Sequence, residues 1–155
     1  MTDSGHADEP AAPGAADAQA AAERAVTAML AADTASTALG IEVTGVRPGH
    51  AVARMRVTER MVNGHGVCHG GYVFLLADTA FAAAGNSHGV VTVAAAADIT
   101  FVSSARQGDV LTAGAAERVR YGRSGIYDVT VTRQDGAVVA EFRGTGRTLP
   151  NGPGR

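Results

Sequence analysis

An aspartate, Asp78, stands in the middle of an apolar segment that follows the glycine-rich run Asn63-Gly-His-Gly-Val-Cys-His-Gly-Gly71. Between Gly71 and Gly85 the other polar side chains are those of Tyr72 and Thr79. Aspartate is a poor helix former, and burying its charge without partners is costly. A helix that keeps one there is expected to use it. The preceding run holds the groups a carboxylate works with: the Asn63 amide, the His69 imidazole, and the N–H groups of Gly70 and Gly71 where a helix opens. A helix start collects unpaired donors and the positive end of the dipole, which suits a carbonyl oxygen gaining negative charge. Glycine at that point leaves room for a substrate against the backbone. Asp78 then serves as general base toward water or as nucleophile. Asn63 orients the water or the acyl group, and His69 holds the loop or assists the leaving group. These roles together describe acyl transfer to water.

The spacing constrains how such a site is assembled. An α-helix rises about 1.5 Å per residue, which separates Asp78 from the Gly70 N–H by roughly 12 Å along the axis. One carbonyl cannot touch both groups of one chain. A two-fold dimer with antiparallel central helices places Asp78 of one chain opposite the helix start of the other, giving two equivalent composite sites. The spacing therefore predicts an obligate dimer.

The elements that must position these groups can be read on either side. Residues 1–17, rich in Ala, Gly, Asp and Pro, read as a disordered leader, and the segment from Ala18 to about Ala32 as a surface helix with a narrow apolar face. A short helical turn over Ala35–Leu39 ends at Gly40. Ile41–Val46 and His50–Val57 form a hairpin around Arg47-Pro48-Gly49; Ala51, Ala53, Met55 and Val57 alternate with other residues in the period of a half-buried strand. The helix from Gly70 to Asn86 is apolar on every side, the pattern of a helix buried all round. Strands follow over Val90–Ser103, Val110–Tyr121, Ile126–Thr132 and Ala137–Thr148, separated by turns at Arg106–Asp109, Gly122–Gly125 and Asp135-Gly136. This order predicts an α+β fold in which an antiparallel sheet wraps one long central helix. The ordered domain spans 18–149, and 150–155 is a frayed tail.

Composition excludes several function classes. The chain of 155 residues carries a net charge of −2 from 13 basic and 15 acidic residues mixed along its length, with no basic block to neutralise a nucleic-acid backbone. No apolar run approaches the roughly 20 residues that cross a bilayer, and the acidic, proline-containing start lacks a signal-peptide pattern. The single cysteine, Cys68, suits a reducing cytosol. His65, Cys68, His69 and His88 lack the spacing of a metal site, so no metal and no cofactor are expected. Arg106, Arg120 and Arg123 flank loops, and Gly122-Arg-Ser-Gly125 offers Arg123, Ser124 and the Gly125 backbone as a candidate anion nest.

The motifs Asn63-Gly-His-x-x-Cys68-His-Gly-Gly71, Leu75-Leu-Ala-Asp78-Thr-Ala-Phe81, Asn86-Ser, Gly125-Ile-Tyr-Asp128 and Phe142-Arg-Gly144 together resemble the phenylacetic-acid-degradation thioesterases of the hot-dog superfamily. The similarity runs from about Leu39 to Arg147. It implies a hot-dog fold and hydrolysis of acyl-CoA, with phenylacetyl-CoA and hydroxylated phenylacetyl-CoA as substrates. It also implies Asp78 as the catalytic carboxylate, Asn63 as its partner, Gly70 as the carbonyl-polarising amide, and a homotetramer built as a dimer of dimers. Gly71, Thr79, Arg106, Arg123, Ser124 and Gly125 are the candidate substrate-binding residues. The chain departs from this resemblance in two places: Val93-Ala-Ala-Ala-Ala97 lacks a hydroxyl to orient water, and the turn Ser103–Gly108 lacks a proline.

Bland readings accompany each candidate. Asp78 as a structural acid would be paired with an arginine or cap a loop. Cys68 would be a packed thiol, His50 and His88 surface or turn histidines, and Phe74 and Phe81 core residues before they line any acyl pocket. Two other functions compete. A 3-hydroxyacyl-thioester dehydratase or hydratase would require a histidine working with an acid, roles that His69 and Asp78 would fill. A non-catalytic acyl-CoA-binding module would bind without turnover.

Overall fold

Gly70–Asn86 forms a helix of 17 residues with the limits that its flanking turns predict. The computed structural model describes residues 14–150. They comprise α1 (Ala15–Ala31), α2 (Thr34–Ala38), β1 (Glu42–Arg47), β2 (His50–Arg56), a 3-10 turn at Glu59–Met61, the central helix α3 (Gly70–Asn86), β3 (Thr92–Phe101), β4 (Val110–Tyr121), β5 (Ser124–Arg133) and β6 (Val138–Thr148). The strands make one six-stranded sheet in the order β1-β2-β4-β5-β6-β3. Every pairing in it is antiparallel. The sheet curves around α3, as the sequence predicts and as the hot-dog resemblance implies.

Packing of the central helix explains its composition. Leu76, Ala77, Ala80, Ala83 and Ala84 are fully buried against Met55, Leu111, Ala113, Val129 and Val131 of the sheet. Alanine on this face lets the helix sit close to the strands. Phe81 fits because β6 carries glycine opposite it: a Cβ at Gly144 would lie 3.0 Å from the Phe81 ring. The helix is apolar all round but is not buried all round within one chain. Phe74, Leu75, Asp78, Ala82 and Asn86 form a half-buried stripe at helical spacing, which the chain's own sheet leaves open.

Several boundaries depart from expectation for local reasons. The leader was predicted to run to residue 17; α1 instead begins at Ala15, where alanine propensity and Asp17 in the first turn favour helix. Residues 1–13 of that leader, and 151–155 of the predicted tail, lie outside the described residues. α1 does lie on the surface through a narrow face, with Ala22 and Val26 buried and the Gln19 amide donating to the Val46 carbonyl at 2.7 Å. Asp33 caps α2, accepting from the Ser36 amide at 2.9 Å and the Ser36 hydroxyl at 2.6 Å. Those bonds hold the Asp33 carboxyl below its ordinary range. The β4–β5 turn is shorter than predicted. β4 runs to Tyr121 and β5 starts at Ser124, so only Gly122, with φ +53°, and Arg123 make the turn.

The two sheet edges differ. β1 is covered in part by α1. β3 is an open edge whose residues from Val93 to Asp98 are all exposed. Small apolar side chains, with one charge at Asp98, leave that edge free to pair with another strand.

Candidate active site

His69 precedes α3 and caps it in an unusual way. Its Nδ1 accepts from the Gly71 N–H at 3.0 Å. That bond removes Gly71 from the expected substrate-binding set and leaves Nδ1 without a proton, so the neutral ring carries its proton on Nε2. The Tyr72 amide bonds back to the His69 carbonyl. Of the donors at the helix start, the Gly70 N–H has no partner among the described residues. The general reading of Gly70 or Gly71 as the polarising donor thus narrows to Gly70.

Gly70 opens onto a cavity of about 440 Å³ lined also by Val67, Cys68, Val73, Phe101 and Ser104. The Phe101 ring lies across it, and a Cβ at Gly70 would come within 2.8 Å of Phe101 Cζ. Sequence reasoning missed Phe101. It ends the edge strand β3 and is 53% exposed, a placement that no local sequence feature signals. Cys68 is buried in the same wall, with its thiol pushed up mainly by burial, which fits a packed thiol rather than a nucleophile.

Asn63 shapes the loop. Its side-chain oxygen accepts from the His65 amide at 2.9 Å and more distantly from Val67, while its backbone closes the turn through Val67 and Gly66. The side-chain nitrogen makes no hydrogen bond among the described residues, so it remains available as a donor.

Asp78 lines a separate groove of about 340 Å³, with Phe81, Ala82 and Asn86 of α3, Val93 and Ala94 of β3, and Met29 of α1. The carboxylate is half-buried and has neither hydrogen bond nor ion pair among the described residues. Desolvation alone pushes its pKa above the ordinary range. The paired, structural reading of Asp78 has no partner to rest on. Phe81 is both core and groove wall, 2% exposed and within 5.8 Å of Phe142 by ring centroids. Asn86 fixes the adjoining strand: its amide nitrogen donates to the carbonyls of Ala82 and Thr92, and its oxygen accepts from the Thr92 amide.

The remaining candidates separate clearly. Thr79, one residue from Asp78, points the other way. It is buried, donates to the Leu75 carbonyl at 2.8 Å and lies 3.0 Å from the Ser36 hydroxyl, tying α3 to α2 instead of facing a substrate. Gly125 is a buried strand residue whose absent Cβ makes room for Tyr127, 2.9 Å from the ring edge. Arg123 and Ser124 border a notch of about 10 Å³ with Arg120 and His88, room for about one water, so the turn is not a preformed phosphate nest. Arg106 follows the Ser104–Ala105 wall of the Gly70 cavity. The 12 residues of β4 separate it from Arg123, an axial distance of roughly 40 Å.

His88 is not a plain surface histidine. Its Nε2 meets Glu117 Oε2 at 2.6 Å, and the Tyr127 hydroxyl donates to the same oxygen at 3.0 Å. Burial first, then that carboxylate, drives the Tyr127 pKa far upward. Nothing local in the sequence signals this cluster, because its members come from a loop and two strands. Among the described residues no group of three His, Cys, Asp or Glu converges as a metal site, and no helix is long and apolar enough to cross a membrane.

An open carboxylate on a helix inside a curved sheet, with a free helix-start donor in a second cavity, defines a hot-dog hydrolase architecture. Comparison with known proteins agrees. Residues 65–140 match the thioesterase superfamily. The chain is 46% identical over 117 residues to the acyl-coenzyme A thioesterase PaaI of Escherichia coli, covering 76% of this chain and 84% of that protein. The solved structure of the E. coli PaaI protein from the phenylacetic acid degradation operon superposes with a TM-score of 0.84 at 42% identity, over 85% of this chain and 96% of that one. A hypothetical thioesterase of Streptococcus pneumoniae, solved with coenzyme A, is 28% identical with a TM-score of 0.68, over 70% and 85% of the two chains. The chain belongs to the PaaI-type acyl-CoA thioesterases of the hot-dog superfamily, and so to the thioester hydrolases rather than the dehydratases or binding modules.

Proposed function

We propose that the protein hydrolyses arylacetyl-CoA thioesters, phenylacetyl-CoA and its ring-hydroxylated forms among them, to the free acid and CoA, with Asp78 activating water or attacking the carbonyl. The observation that carries this reading is the unpartnered Asp78 carboxylate in an apolar groove. A carboxylate with its pKa raised toward the working range is a better proton acceptor than an ordinary one. The likeness to the E. coli acyl-CoA thioesterase from a phenylacetic acid degradation operon supports the substrate class.

The site is composite. Gly70 and Asp78 line different cavities of one chain. Antiparallel pairing of two open β3 edges would bring the Gly70 cavity of one protomer to the Asp78 groove of its partner. In that arrangement the Gly70 N–H polarises the thioester carbonyl, and the free Asn63 amide donor holds the water or the acyl oxygen. The His69 Nε2–H faces the departing thiolate. Arg106 of one protomer and Arg123 of the other, far apart within a chain, then flank the same site and reach the CoA phosphates as exposed guanidinium groups without a preformed nest. Two such dimers form the homotetramer, and the reduced Cys68 fits a cytoplasmic enzyme.

A complementation assay tests this reading. Asp78→Asn and Gly70→Ala variants are each expected to be nearly inactive. Mixed and allowed to exchange protomers, they should recover about a quarter of wild-type thiol release from phenylacetyl-CoA, since half the dimers then hold one intact site of two. Absence of recovery despite proven exchange would dismiss the composite site. Absence of thiol release by wild type across an aryl- and alkyl-CoA panel would dismiss the substrate class.

A further inference from the structure

We propose that α1, through Met29, is the acyl-size selector of the Asp78 groove. This inference rests on the thioesterase reading of that groove. Its lining is apolar apart from Asp78, Asn86 and Thr92, so it fits an acyl group better than the anionic end of CoA.

Most of the groove is fixed in place. Phe81 is wedged between Tyr127, Phe142 and the strand at Gly144. Asn86 bonds α3 to the start of β3 through two hydrogen bonds with the Thr92 backbone, and a third to the Ala82 carbonyl fixes its side chain. Val93 and Ala94 belong to a paired strand. Val91, in the loop before β3, is held through its carbonyl by the Leu149 amide, and Met29 alone among the lining residues comes from outside the stretch 78–94. It is half-buried near the end of α1, comes from outside the sheet-and-helix unit, and carries an unbranched, adaptable thioether. α1 is itself held firmly, by the Gln19–Val46 bond and by buried Ala22 and Val26. Met29 is therefore a flexible plug on a fixed support. The stretch that matches the superfamily, 65–140, does not include α1, so this wall can vary without touching the shared machinery.

The test measures kcat/KM over phenylacetyl-CoA and a straight-chain CoA series from short to long acyl groups. Met29→Ala should shift preference toward the larger acyl groups, and Met29→Phe toward the smaller, each changing the large-to-small ratio about tenfold. Leu30→Ala serves as the control: Leu30 packs against the core beside Met29 but does not line the groove. It should lower the thermal midpoint without altering the acyl profile. An unchanged profile in both Met29 variants, with wild type active, overturns the proposal, as does a profile shift in Leu30→Ala equal to that of Met29→Ala. If Met29→Ala fails to fold, Met29→Leu and Met29→Phe carry the same comparison. A wild type inactive on every thioester overturns the underlying thioesterase reading instead.

Discussion

Asp78 and Asp128 are two aspartates of one small molecule, and their surroundings push them in opposite directions. Asp128 stands on β5 and accepts from Arg143 at 2.6 and 2.9 Å, with Arg118 at 3.4 Å. The Arg143 bonds foremost hold its carboxyl below the ordinary range. Asp78 lies on the concave side in an apolar groove, has no partner among the described residues, and is held above that range by burial. A carboxylate that serves the fold is given its counter-charges; the one to which we assign the reaction is left unpaired and accessible, at a cost in stability.

The largest expected effect is at Asp78. Asp78→Asn should reduce kcat by about 10²- to 10⁴-fold, as expected when a proton acceptor or nucleophile is removed. In wild type, kcat/KM should fall as pH drops through the raised Asp78 pKa, because only the carboxylate works. Stability follows the opposite sign. A folded-state pKa above the unfolded one contributes stability while the group is neutral, and that stability is lost as pH rises through the folded pKa. Asp78→Asn should therefore match wild type in thermal midpoint at acid pH and exceed it near neutrality. A variant less stable than wild type at pH 7 would make Asp78 a structural residue and remove the contrast with Asp128.

Next in size is Gly70→Ala. The added methyl meets Phe101 Cζ at 2.8 Å, so the ring or the helix start must move. Misplacing by about 1 Å the N–H that we propose polarises the carbonyl is expected to lower kcat/KM on the order of a hundredfold. A Phe101→Ala, Gly70→Ala double variant relieves the clash and should recover part of that loss. No recovery would show that the methyl blocks the substrate itself.

Legibility in the sequence follows how local each signal is. The helix Gly70–Asn86, the succession of strands along the chain and the Asp78 anomaly were readable because periodicity, turn glycines and a misplaced charge are local features; the place of β3 at the far edge beside β6, instead of next to β4 as in a simple meander, was not. Spacing also separated Gly70 from Asp78, and the two cavities agree. What escaped depends on side-chain direction or on distant strands. Thr79 looked like part of the site by adjacency, yet one helical step of about 100° turns it toward Ser36. Ser124 and Gly125 looked like a loop, but strand pairing with Arg147 and Gly146 takes them into the sheet. Met29 and Phe101 reach the two cavities from elements that carry no motif, and Glu117 finds His88 and Tyr127 only through the fold.

Thr79 and Asp128 supply the smaller effects, and they test the structural half of the comparison. Thr79→Val removes a buried hydroxyl that donates to Leu75 and leaves the Ser36 hydroxyl with Asp33 alone. It should cost about 1–2 kcal/mol of stability in denaturant unfolding and leave kcat close to wild type. A large fall in kcat with intact stability would return Thr79 to the site. Asp128→Asn should do least of all. Arg118 and Arg143 are 63% and 61% exposed, so solvent already screens the cluster. The expected change in thermal midpoint at neutral pH is at most about 3 °C. A folded-state pKa below the unfolded one places that small contribution above the unfolded pKa, and it fades as pH falls through the folded one. Turnover should be unaffected. If Asp128→Asn instead gained stability toward neutral pH, as Asp78→Asn is expected to, the carboxylates would differ in position but not in kind.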